Sequence, residues 1–347
     1  MPRPVPNRQA VRYITVRRRV ERLLSLLRNH RDVVILTHND PDPDSISSAW
    51  GLSWLLESTL QTRSSILYGG MIGRAENRAM VELLRIPLKR ATPADLEAGK
   101  PILLVDTQPG IGNNLLPVGA IPLAAIDHHP PHANNAGVPF RDIQPRFGAT
   151  ATIITRYLWA MGVEPPPLLA TALFYGIKTD TLGLSREASR ADALAYLYLH
   201  ERADLPALGA IERAQLSRDY FVVMSRALRR ARLYGNAVVT MLGTVGHADM
   251  AAEVADLLAR LQGAEWVLSI AVFGDEVILS LRTTDPELNA GQVIQRLVAG
   301  SGSAGGHGTA AGGRIRFSGS PASAQKRVAQ RFAEIMGFSS ADAKPLI

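Results

Sequence analysis

Short, wholly apolar runs alternate with longer amphipathic stretches through the first half of the chain. Residues 33–37 (VVILT) form a continuous apolar run bounded by polar residues, which predicts a buried strand. The same reasoning predicts strands at 64–68, 102–105 and 123–126. Helices are expected at about 45–58, at 76–84, at 150–161 (ended by Gly162) and at 168–178. Strands alternating with helices imply a mostly parallel sheet with helices on both faces. From 186 to 232 the pattern is mostly helical and reads as a connection between domains. Beyond Tyr234 it changes again. Strands are expected at 237–242, 266–273 and 277–282, the last two joined by a tight turn at Gly274-Asp275. Helices follow the period at 251–261 and 289–298, then comes the glycine-rich stretch 300–313, a strand and a final helix at 322–336. The expected fold class is therefore α/β: a catalytic domain over 1–190, a helical connection over 191–232 and a smaller α/β domain over 233–347.

Composition narrows the chemistry. The 347 residues include no cysteine, which excludes a disulfide framework and thiolate zinc sites. Any metal here must bind to oxygen and imidazole nitrogen, donors suited to Mn, Mg, Fe or Zn. The net charge of +7 favours anionic partners. Its two arginine-rich stretches, 17–22 and 226–232, read better as solvated faces of amphipathic helices than as binding patches. No secretory signal is visible, and the longest apolar stretch, 168–177, is too short to span a bilayer. A cytoplasmic protein without a membrane partner is expected.

Four polar clusters are expected at the carboxyl ends of four strands. The first, 38–44, reads HNDPDPD: three carboxylates and an imidazole crowd into seven residues and repel unless a cation sits among them. It also reads as a capping loop, with Asp44 as N-cap of the next helix. The second is Asp106, at the end of ILLVD; the third is Asp127-His128-His129, after LAAI; the fourth is Asp180, in 179–181 (TDT). Each alone reads equally as a turn or cap residue, and His132 lies beyond its motif. Together, at the carboxyl edge of one parallel sheet, they form a ligand set that fits two ions sharing one carboxylate.

In that order the motifs HNDPDPD, VDT, DHH and TDT resemble those of the DHH phosphoesterase superfamily, and 305–313 (GGHGTAAGG) resembles the signature of the attached DHHA1 domain. The group it is most similar to comprises the nanoRNases and 3′-phosphoadenosine-5′-phosphate phosphatases. The resemblance implies that His38 and Asp42 bind one metal, that Asp44, His128 and Asp180 bind the other, and that Asp106 bridges them. It places His129 beside the scissile phosphate, gives Asp127 an orienting role, and makes Mn²⁺ the expected ion, with Mg²⁺ as the alternative. Arg282, Gly305, Gly306 and His307 become expected contacts to substrate, across a cleft between the domains. The implied enzyme hydrolyses dinucleotides, short RNA or nucleoside 3′,5′-bisphosphates; a homodimer is the partner state considered. Rival readings are a RecJ-like single-strand exonuclease, a cyclic dinucleotide phosphodiesterase, an inorganic pyrophosphatase and a non-catalytic nucleotide-binding protein. Two departures from the family pattern bear on the substrate: Pro43 in PDPD, and Ala304 ahead of Gly305.

Overall fold

The apolar runs become strands whose successive side chains face opposite ways. In a computed structural model, residues 8–97, 99–285, 287–339 and 343–347 are described, without the side chains of 8–13, 97 and 307. They divide into two units, 1–214 and 215–347. The first contains α1 (Arg8–Leu27), β1 (Asp32–Leu36), α2 (Pro43–Leu60), β2 (Arg63–Tyr68), α3 (Ala75–Leu84), β3 (Leu88–Arg90), α4 (Pro93–Glu97) and β4 (Ile102–Val105). It continues through β5 (Ala124–Asp127), a 3₁₀ turn (Ala133–Gly137), β6 (Phe140–Ile143), α5 (Thr150–Met161), α6 (Pro167–Asp180), α7 (Arg190–His200) and α8 (Leu205–Glu212).

The six strands run parallel in the order β3-β2-β1-β4-β5-β6, with Val34 of β1 opposite Ser65 on one side and Ile102 on the other. Period-two alternation sends Val33 and Ile35 to one face and Val34 and Leu36 to the other. The first face carries the large core, filled from α1, α2, α5 and α6 by residues such as Leu23, Leu55, Tyr157 and Leu173. The opposite face has a thinner cover, including Leu96 of α4, Leu116 and Val138. The edge strands β3 (LKR) and β6 (FRDI) escape the sequence pattern because charged residues interrupt them and neither is a continuous apolar run.

The helices expected to connect the domains divide between the two units. Ala195 and Leu199 of α7 and Leu208 and Ile211 of α8 are buried in the first core. The next helix, α9 (Arg218–Arg230), buries Val223 and Ala227 in the second unit. That unit continues with β7 (Arg232–Tyr234), β8 (Ala237–Thr244), α10 (Met250–Leu258), β9 (Trp266–Phe273), β10 (Glu276–Thr283), α11 (Ala290–Val298), β11 (Gly302–His307), β12 (Ala310–Arg316), α12 (Pro321–Met336) and β13 (Lys344–Pro345). Its mixed sheet runs β11-β12-β10-β9-β8-β7-β13. The helices α11 and α12 cover one face and α9 and α10 the other.

The glycine-rich stretch is a β-hairpin and not an open loop. Close approach explains the glycines: a Cβ on Gly302 would lie 2.0 Å from the Arg314 carbonyl, and Gly306, at φ +125°, backs onto Ala311. Ala304 pairs with Gly313 in the same hairpin and packs against the core, so its methyl group is accommodated. Among the described residues, no helix is long and apolar enough to cross a membrane.

Candidate metal centre

The loop after β1 turns sharply. Asp40 takes the left-handed conformation, at φ +55°, and turns away from its neighbours to accept a hydrogen bond from the Met71 amide at 2.9 Å. The N-cap of α2 is Asp42, not Asp44 as the sequence suggested: its carboxylate accepts from the Ser45 amide at 2.9 Å. Pro43 then occupies the first helical position, where its fixed φ suits the helix and its missing N–H costs nothing. The proline therefore removes no ligand. It leaves Asp44 in the first turn of α2, fully buried.

Asp44 points at the start of α5. That helix begins after Ala149, which offers no side-chain cap. Two of its otherwise unpaired amides, those of Thr150 and Ala151, each donate to a different oxygen of Asp44 at 2.7 Å. The Thr150 hydroxyl donates to Asp106 Oδ1 at 2.8 Å. Asp106, at the end of β4, is buried and left-handed, with φ +59°.

Two groups of side chains converge around Asp106. Its Oδ2 lies 3.4 Å from His38 Nε2, which is 3.7 Å from Asp42 Oδ1. Its Oδ1 lies 3.7 Å from His128 Nε2, which is 3.1 Å from Asp180 Oδ2 and 4.0 Å from Asp44 Oδ2. In each of the sets His38/Asp42/Asp106 and Asp44/His128/Asp180 the ligand atoms lie within 4.8 Å of one another. All six residues expected as ligands are thus brought together, although Asp180 ends a helix, α6, and not a strand. A carboxylate at a helix C-terminus faces the negative end of the helix dipole and needs a positive neighbour. Arg186, 3.6 Å from Asp180 Oδ1, supplies one.

The imidazoles are oriented for coordination. His38 Nδ1 donates to the Asn39 carbonyl at 2.9 Å and His128 Nδ1 to the Phe147 carbonyl at 3.2 Å. Each Nε2 lone pair is thereby left facing the carboxylates. Oxygen and imidazole donors in this number suit divalent ions such as Mn²⁺ or Mg²⁺, so the residues fit the metals that the motifs imply.

Electrostatics agrees. Burial disfavours charge on His38, yet its hydrogen bonds to Asp106 and Asp42 outweigh that and hold its pKa well above the ordinary value. His128 is likewise raised against the effect of burial, by Asp180 and Asp106. Burial, reinforced by the charges of Asp106 and Asp180, pushes Asp44 well above the carboxylate range, and burial also raises Asp106. Asp42 is lowered despite burial, by its hydrogen bond to His38. These shifts show that the cluster favours positive charge among its carboxylates.

His129 borders both groups: its Nδ1 lies 3.8 Å from Asp106 Oδ1, and Asp106, His128 and His129 form a third set with ligand atoms within 4.8 Å of one another. His129 Nδ1 donates to Asp127 Oδ1 at 2.8 Å, and the side chain is 40% exposed where Asp127 is fully buried. Gln108 holds Asp127 in turn, through an Nε2 donor at 2.6 Å. Burial lowers the His129 pKa, but Asp127 and Asp106 raise it further. His132 lies outside the cluster and caps the 3₁₀ turn. The sequence reading missed Thr150, Gln108 and Arg186, which belong to no motif and are recruited by the fold.

Residues 32–177 match the model of the DHH family, N-terminal domain, and residues 235–334 that of the DHHA1 domain. The chain carries a DHH-family N-terminal domain and a DHHA1 domain. It is 37% identical over 287 residues to an uncharacterized protein of Methanocaldococcus jannaschii, covering 82% of this chain and 58% of that protein. It is 25% identical over 303 residues to an A-adding tRNA nucleotidyltransferase of Geobacter sulfurreducens, covering 82% of this chain and 32% of that protein. The DHH chain thus spans less than two thirds of either curated relative. Among solved structures it resembles an exopolyphosphatase-related protein from Bacteroides fragilis, with TM-score 0.68, 17% identity and coverage of 91% of this chain and 96% of that one. It also resembles RecJ in complex with Mn²⁺ from Thermus thermophilus, with TM-score 0.58, 18% identity and coverage of 93% and 55%. These two likenesses show a shared fold.

The residues expected to bind substrate lie in the DHHA1 domain. Arg282 donates to Asp256 Oδ1 at 2.7 Å, to Ser280 Oγ at 2.9 Å and to the Leu281 carbonyl at 3.0 Å. Gly305 and Gly306 lie in β11, and a Cβ on Gly305 would meet open space. The side chain of His307 lies outside the described residues.

Proposed function

We propose that this DHH–DHHA1 chain is a two-metal phosphoesterase hydrolysing short phosphodiesters, namely dinucleotides and very short RNA, and the 3′-phosphate of nucleoside 3′,5′-bisphosphates. One observation carries the reading: the two oxygens of Asp106 face two separate ligand groups, each with one histidine. Two divalent ions held there would supply an attacking water at neutral pH and would neutralise charge developing on the phosphoryl oxygens. Mn²⁺ is the proposed ion, and the RecJ structure of the same fold holds Mn²⁺.

The chain's own residues divide the remaining work. Asp106 holds the two groups in register. His129, part-exposed beside the cluster, donates from Nδ1 to Asp127, and its pKa is raised against the effect of burial by Asp127 and Asp106, which favours the protonated ring. Its Nε2–H is the donor proposed for the leaving oxygen. Gln108 keeps Asp127 from rotating. In the DHHA1 domain, Gly305 and Gly306 offer backbone that a phosphate can approach closely, with His307 and Arg282 as further contacts. Arg282 would reach a phosphate only by giving up part of its present hydrogen bonding.

The test offers pApA, adenosine 3′,5′-bisphosphate, cyclic di-AMP and a long single-stranded RNA side by side to the purified protein with Mn²⁺. Release of AMP from the first two, faster than products from the others, is expected. Preference for the long strand would replace this reading with the exonuclease one. The Asp106→Ala variant should be inactive on all four; activity in that variant would overturn the bridging role.

A further inference from the structure

Asp192 is fully buried in the first turn of α7, and among the described residues no cation pairs with it. At first sight it completes a capping box: the Ser189 amide donates to its Oδ2 at 2.7 Å, and its own amide reaches Ser189 Oγ at 3.4 Å. A capping box needs no burial and only one carboxylate oxygen. Asp192 does more with both. Its Oδ2 also accepts from the Gly148 amide at 3.0 Å, and its Oδ1 from the Thr152 hydroxyl at 2.6 Å.

Gly148 and Thr152 flank Thr150 and Ala151, whose amides clasp Asp44 and whose Thr150 hydroxyl clasps Asp106. With Ala149 as a silent N-cap, the first turn of α5 has no side chain of its own to hold it. It is gripped from outside, by Asp44 on one side and Asp192 on the other. The turn has little room to shift: a Cβ on Gly148 would lie 2.5 Å from Thr181 Cγ2 and 3.1 Å from the Glu187 carbonyl.

We propose that Asp192 is a positioning residue of the metal centre, fixing the first turn of α5 and through it the carboxylates of Asp44 and Asp106. The proposal rests on the reading of the cluster as a metal site. Removing a group that orients a ligand typically weakens metal binding about 10–100-fold. Asp192→Ala takes the acceptor from Gly148, Ser189 and Thr152 together. Asp192→Asn can keep the arrangement: its carbonyl accepts where Oδ2 does, and its amide donates to Thr152 Oγ1, which can also accept.

Two measurements on the full chain decide it: Mn²⁺ binding by calorimetry, and hydrogen exchange at the Thr150 and Ala151 amides without metal. Asp192→Ala should speed exchange at both amides and weaken Mn²⁺ binding about 10–100-fold, while Asp192→Asn restores both. If Asp192→Ala does not fold, Thr152→Val removes a single hydroxyl and should move both readouts the same way by less. Faster exchange with unchanged Mn²⁺ affinity would reduce Asp192 to a structural residue and overturn the proposal. So would unchanged values of both. Failure of the unmodified protein to bind Mn²⁺ would instead remove the metal site itself.

Discussion

Metal should enter this cluster by displacing protons. The perturbation is a titration with Mn²⁺ at about pH 6 and about pH 8, on either side of the usual imidazole pKa. Each ligand group contains one histidine whose Nε2 faces carboxylates, His38 in one and His128 in the other, and both are raised well above 6.5. Each ion must therefore expel at least one proton where its histidine is protonated. One proton per ion makes each affinity about tenfold weaker per pH unit of acidification, so both sites together lose ~2.7 kcal/mol. The upward shifts of Asp44 and Asp106, caused first by burial, act in the same direction. Calorimetry in two buffers of different ionisation enthalpy counts the protons directly. The stability of the metal-free protein runs the other way. A raised histidine contributes stability that is full below the unfolded value of 6.5 and lost as pH rises through the folded value. Asp42, lowered from 3.8, contributes stability lost only as pH falls through its depressed value, and so stays constant in this window. The gain in melting temperature on adding Mn²⁺ should therefore widen from pH 6 to pH 8. Metal binding with no proton release and a pH-independent affinity would refute the reasoning.

Replacing His129 by Gln should lower kcat by about 10²–10⁴-fold while leaving Mn²⁺ affinity unchanged, because its Nδ1 is engaged with Asp127 and its side chain is part-exposed. The fall in rate at alkaline pH, where the proposed acid loses its proton, should vanish in that variant; its persistence would place the acid elsewhere. Gly176→Ala should cost ~1–3 kcal/mol of stability, read from denaturant melts, since its Cβ would lie 2.4 Å from Ser47 Oγ and 3.1 Å from Asp44 Cα where α2 crosses α6. A neutral result there would mean that the two helices part more readily than their packing suggests.

Much of the first unit was legible in the sequence because its central strands are continuous apolar runs. Residues 102–105 and 150–161 form elements with the expected bounds. The ligands were legible for a related reason: acidic and imidazole side chains placed just past apolar segments have few other uses. What escaped depends on tertiary contact. Leu88–Arg90 has one apolar residue, and Phe140–Ile143 is too short to show a period. The glycines of 302–313 signal a loop by propensity, yet form strands because only glycine permits their close pairing. Ser189 and Asp192 have capping-box spacing in the sequence, but the burial of Asp192 and its hold on α5 arise only when α7 packs. Thr150 looks like one more polar residue at a helix start until Asp106 is found beside it.

Charge balance favours the proposed pair of cations over a single one. Asp42, Asp44, Asp106 and Asp180 are four carboxylates, and the histidines coordinate as neutral rings, so the deprotonated ligand set carries four negative charges. A single divalent ion leaves half of that charge uncompensated in a largely buried place, where burial already disfavours charge on Asp44 and Asp106. Two divalent ions would neutralise it. The helix ends weight the two halves differently. Asp44 sits at the positive end of both α2 and α5, and is stabilised as an anion. Asp180, at the negative end of α6, is not, and leans on Arg186 and His128. The group built on Asp44, His128 and Asp180 is thus the one whose geometry the surrounding fold controls most directly, through the turn of α5 that Asp192 grips.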